Sequence, residues 1–75
     1  MANKIEVKLE PTGFSPTPLQ KQEMCKMEYH FHELQIIPRV NEFIRSGYLF
    51  ACVKDVTYEY QGGVSPIAAI VSIRA

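Results

Sequence analysis

Only two cysteines occur in the chain, and neither tryptophan nor net charge is present: eight Lys and Arg oppose eight Asp and Glu. Cys25 and Cys52 are too few and too far apart for the disulfide framework of a small secreted domain, so both are read as reduced thiols in an apolar setting. Zero net charge removes the bulk attraction that carries most nucleic-acid and anionic-lipid binding. Long apolar runs are missing too. Residues 64–73 are the longest such stretch, broken by Ser65, Pro66 and Ser72, and they fall far short of the ~20 residues of a spanning helix. At the N-terminus charges recur at every second position from Lys4, which leaves no signal-peptide core. These features point to a cytoplasmic chain with no membrane partner.

What is present is a globular balance, with 47% hydrophobic and 21% charged residues in 75 positions, enough for one domain over residues 1–75. A chain this short buries a modest share of its surface, which favours association with a partner or with itself. No repeat or low-complexity tract divides it. Residues 1–37 carry four Lys against five Glu, and residues 38–75 carry four basic against three acidic groups.

Residues 4–10 alternate strictly, Ile5, Val7 and Leu9 against Lys4, Glu6, Lys8 and Glu10, as a half-buried strand does. Pro11 ends it, and residues 11–18 form a loop rich in Pro, Gly, Thr and Ser. Phe14 is its one large apolar side chain, expected as a lid on the core edge or as a contact for a partner.

Residues 19–37 support two patterns. As a helix, Thr17 would be the N-cap, Pro18 the first helical residue and Gln20 the partner in a capping box, with Met24, Met27, Phe31 and Leu34 in a stripe. As a strand, Cys25, Met27, Tyr29 and Phe31 alternate with Lys26, Glu28, His30 and His32. The strand places all four apolar groups on one face, whereas the helix turns Cys25 and Tyr29 away, so a strand is expected over residues 24–33. A single helical turn at residues 19–23 is compatible with it.

Residues 38–46 read as the helix, with Pro38 at its start, Val40, Phe43 and Ile44 inward, Arg39, Asn41, Glu42 and Arg45 in water, and Gly47 ending it. Residues 48–60 are β-formers, the even positions Phe50, Cys52, Val56, Tyr58 and Tyr60 sharing a face interrupted by Lys54. Gln61, Gly62 and Gly63 make a turn, and residues 67–73 return as a strand apolar on both sides. The sum is an α+β domain, a small antiparallel sheet of about four strands with one short helix on one face, in the order β-β-α-β-β.

Three chemistries are weighed against this frame. On a strand, His30 and His32 would sit about 7 Å apart on one face with Glu28 beside them, the beginning of a metal or small-ligand site that lacks a fourth ligand. Tyr48, Phe50, Tyr58 and Tyr60 with Lys54 resemble a stacking surface for single-stranded nucleic acid, a partner that zero net charge disfavours. Neither cysteine has a base and an orienting group, and no phosphate loop, Ser-His-Asp ordering or pair of Glu side chains stands out, so no enzyme and no cofactor are expected.

Protein contact fits best. A strand apolar on both sides exceeds what a three-turn helix can cover, and four Tyr, four Phe and three Met are residue types common at interface centres. The expected function is a small interaction module, an inhibitor, adaptor or accessory subunit acting by surface occlusion, self-associating as a homo-oligomer or docked on another protein. Its contacts would be Phe14, Tyr48, Tyr58 and Tyr60 as apolar anchors, with Arg39 and Arg45 at the rim.

Overall fold

The computed structural model describes residues 4–75. Five elements follow in order: β1 (Glu6–Pro11), α1 (Pro18–Leu34), β2 (Phe43–Ser46), β3 (Leu49–Tyr60) and β4 (Pro66–Arg74). The α+β class, the four strands and the helix on one side of the sheet agree with the sequence reading. Its second and third elements are exchanged, since the helix precedes β2. The sheet is mixed, in spatial order β1-β4-β3-β2, with β1 parallel to β4 and the other pairs antiparallel.

Residues 24–33 are helical because the local signals there all agree. The Thr17 hydroxyl accepts the Gln20 N–H at 3.1 Å, and the Gln20 side chain accepts the Thr17 N–H at 3.0 Å, closing the capping box. Between Pro18 and Leu34 there is no Val, Ile or Thr, and most positions hold strong helix formers. Gln35 ends the helix in the left-handed region. Met24 is buried, and Met27 and Phe31 pack beside it against the core. Tyr29 stays 64% exposed and Cys25 lies on the surface. The period-two pattern had counted both among side chains that must be buried, and neither must.

Residues 38–46 are not a helix. The face of the sheet that such a helix would cover is already occupied by α1, and Asn41 takes a φ of 74° that ends any helical run. The Arg39 carbonyl accepts the Glu42 N–H in a single turn, after which the chain extends into β2. Ile44 enters the core, while Val40 and Phe43 face solvent.

β4 lies at the centre of the sheet, and its Ala69, Val71 and Ile73 are fully buried beneath α1. Val7 and Leu9 from β1, with Leu49, Ala51 and Val53 from β3, complete that layer. The five-turn helix covers one side of the sheet and leaves the other without a covering element among the described residues. On the other side of β4, Ala68 is buried too. The apolar surplus expected from residues 67–73 is taken up in part, since Ala68, Ala69, Val71 and Ile73 are buried while Ile67 stays 49% exposed and Ile70 half-buried.

β3 changes face along its length. Register slips between Val53 and Asp55, leaving Lys54 as a bulge. Before the bulge Leu49, Ala51 and Val53 point to the helix and Phe50 and Cys52 away from it. After it Val56 and Tyr58 pair with Val71 and Ala69, on the helix side. The even positions of β3 consequently do not share a face.

Candidate functional site: an open strand edge with a basic, aromatic face

The two sheet edges differ. Along β1, side chains of α1 and its cap engage the main chain that has no strand neighbour. The Leu9 N–H donates to Glu28 at 2.8 Å, the Ile5 N–H donates to Gln35 at 3.0 Å, and His32 Nδ1 lies 3.1 Å from the Ile5 carbonyl. Lys4 closes the end of this edge by bonding the Glu33 carboxylate at 2.7 Å. That hydrogen bond and the ammonium charge hold the Glu33 carboxyl below its ordinary value. Strand addition at β1 is largely blocked.

Along β2 no such cover exists among the described residues. The Val53 N–H donates to the Glu42 carbonyl, so alternation along the antiparallel ladder directs the peptide groups of Phe43 and Arg45 away from β3. Two grooves flank this edge. On the helix side, a groove of about 430 Å³ is lined by Phe31, Ile36, Pro38, Glu42, Phe43 and Ile44. On the uncovered side, one of about 230 Å³ is lined by Phe43, Phe50, Cys52, Lys54 and Arg74, among others. Phe43 borders both.

The two phenylalanines meet because of the β2–β3 turn. Ser46 pairs with Leu49 across Gly47 and Tyr48, and Gly47 has a φ of 54°, which suits the first central position of a two-residue hairpin turn. That register sets Arg45 opposite Phe50 and Phe43 opposite Cys52. The Phe43 and Phe50 rings stack at 5.6 Å and 7°, and the Arg45 guanidinium lies 4.6 Å over the Phe50 ring. Phe43 is 66% and Phe50 50% exposed, so the cluster is a surface feature. Arg45, Lys54 and Arg74 form no ion pair among the described residues, whose bridges use Lys4, Lys8 and Lys26.

Of the contacts expected from sequence, Arg45 and Tyr48 fall in this region and Arg39 lies on the loop leading to it. Tyr58 and Tyr60 are exposed at the distant half of β3. Phe14 packs against the core and is not an exposed anchor. Phe43, Ile36 and Arg74 were missed. The Gly-Tyr pair between two β-forming runs was the signal that would have supplied the Arg45–Phe50 register.

His30 and His32 do not converge. Two residues apart on a helix they point in different directions: His30 stands edge-on to Tyr29 at 6.2 Å, while His32 faces β1. Glu28 shares the His32 face but is engaged by Leu9. Among the described residues no three His, Cys, Asp or Glu side chains cluster as metal ligands. Nor is any described helix long and apolar enough to cross a membrane. No family model matches this chain, and neither does any curated protein or solved structure.

Proposed function

We propose that the chain is a protein-interaction module that docks a partner at the β2 edge and acts by occupying a surface, without chemistry of its own. One observation carries the reading: β2 presents unpaired main chain between two grooves, at a point where Phe43 and Phe50 are half or more exposed. Strand addition uses such a combination, with main-chain hydrogen bonds for affinity and side-chain grooves for selectivity. Because β2 has only four residues, few ladder bonds can form and the grooves must supply most of the affinity.

The partner is another protein in preference to a second copy. A symmetric β2-to-β2 pairing would set Arg45 of both copies on one face of the new ladder, and like charges so placed repel.

Selection of random twelve-residue peptides on the immobilised chain tests the proposal, followed by mapping of backbone amide shifts with the tightest binder. Shifts confined to residues 36–46 and 50–54, and loss of binding on Phe43→Ser, are expected. A binder mapping to the β1 edge or to the tip of the β3–β4 hairpin, or no binder at all, contradicts it.

A further inference from the structure

We infer that the uncovered side of the sheet docks on the same side of a second copy, the two sheets packing face to face with their strands antiparallel. This surface is distinct from the β2 edge, whose main chain and helix-side groove stay free in such a pair, so the edge keeps another protein as its occupant and the face takes a second copy. Val7, Leu9, Ala69, Val71 and Ile73 are buried toward α1, and alternation sends their neighbours to the other side. The strand registers then fix what that side carries. Across β1, β4 and β3, Glu6, Ala68 and Glu59 form one row, Lys8, Ile70 and Thr57 the next, and Glu10, Ser72 and Asp55 a third. Past the bulge, Arg74, Cys52 and Phe43 form a fourth row and Phe50 and Arg45 a fifth.

Charge is segregated along the strands. The first three rows hold four acids and one lysine, and that lysine, Lys8, lies 3.8 Å from Glu6. The bulge and the last two rows hold Lys54, Arg74 and Arg45 and no acid. Neither these cations nor Glu10, Asp55 and Glu59 form an ion pair among the described residues. The Arg74 side chain turns to the β1 side, its Nε 3.3 Å from where a Cβ on Gly13 would lie.

A two-fold axis lying between the sheets and across the strands sets the acidic end of each copy over the basic end of the other. An axis along the strands would set acid over acid. With the axis over the bulge, Glu10 and Asp55 of each copy face Arg74 and Lys54 of the other, and Phe50 comes over the row of Ile70 and Thr57, at the spacing of about 10 Å that packed sheets keep. These charges lie at the rim, since β1 is an edge strand and β2 stops short of Lys54 and Asp55. The centre is Cys52 and Ile70, both half-buried, with Phe50, 50% exposed. An apolar centre within a charged rim is the usual anatomy of an interface. A different protein would need a matching gradient from acid to base, whereas a second copy supplies it by symmetry.

Sedimentation equilibrium of the full chain from micromolar to millimolar concentration tests the inference. A dimer is expected, loosening as salt is raised. The double variants Lys54→Glu, Arg74→Glu and Glu10→Lys, Asp55→Lys, all at exposed positions, make the face predominantly acidic in one case and predominantly basic in the other. Each alone should be monomeric, and an equimolar mixture should pair one copy of each, at least about tenfold more tightly than either variant pairs with itself. In the unaltered chain, amide shifts that change with concentration should map to residues 50–57 and 68–74. A monomer at every concentration, a dimer that both variants retain, a mixture that fails to pair, or shifts confined to α1 would each overturn the inference. Peptide binding at the β2 edge is read separately, from residues 36–46, and its outcome is independent of these.

Discussion

The carboxylate of Glu23 occupies the space in which a side chain at Gly47 would begin: a Cβ there would lie 2.5 Å from Glu23 Oε1. Glu23 is itself nearly buried, accepting the Ser46 hydroxyl at 2.7 Å and lying 3.6 Å from the Lys26 ammonium. It ties α1 to the β2–β3 turn, and so holds the turn that brings Phe43 and Phe50 together.

Gly47→Ala should therefore destabilise the chain by about 2–5 kcal/mol, combining left-handed strain with overpacking. Gly62, with a φ of 67° and nothing within 4 Å of its missing Cβ, provides the control. Gly62→Ala should cost about 1–2 kcal/mol, from backbone strain alone. Urea unfolding of the two variants measures the difference.

Thr17→Ala removes one arm of the capping box and should lower stability by about 0.5–2 kcal/mol. Loss of helical circular dichroism in the same melt would tie the effect to α1. A helix confined to residues 38–46 would leave the signal unaffected by this substitution.

Leu49 is fully buried at the start of β3, and Leu49→Ala should cost about 2–5 kcal/mol through lost burial and a residual cavity. Small domains have little stability to spare, so this variant is expected to be largely unfolded at 37 °C, as read by amide shift dispersion.

The Lys4–Glu33 pair predicts a pH dependence. Its folded carboxyl titrates below the ordinary value of 4.5 because of the hydrogen bond and charge from Lys4. A depressed carboxyl contributes stability that is present above its unfolded value and is lost as the pH falls through its folded value. Both side chains are substantially exposed, so the contribution is small and screened by salt. Titration of the Glu33 side-chain carbon resonance should show the depression, and Lys4→Met should return it toward 4.5. An unchanged titration in that variant would show that Lys4 is not the cause.

Much of the fold was legible where one physical demand dominated. Ile5, Val7 and Leu9 alternate with charges because one side of β1 is wet, and residues 67–73 read as a strand because β4 is a central strand, although its burial is uneven, with Ala69, Val71 and Ile73 buried and Ile67 49% exposed. The middle of the chain was misread because two periodicities coexist there. Cys25 and Tyr29 made a strand look complete, while the capping box and the absence of β-branched residues specified a helix. Once that helix was misplaced, residues 38–46 seemed to supply the missing one. The candidate site was less legible still. It depends on the turn at Gly47 and the bulge at Lys54, which decide which face each β3 side chain takes, and neither leaves a strong period in the sequence.

Amide hydrogen exchange at Phe43 and Arg45 tests the docking edge most directly. In the free chain both N–H groups should exchange rapidly, as unpaired edge donors do, and both should become protected on saturation with the tightest binder from the twelve-residue peptide selection. Protection already present in the free chain, or continued fast exchange with the peptide bound, would contradict an open β2 edge that takes an added strand.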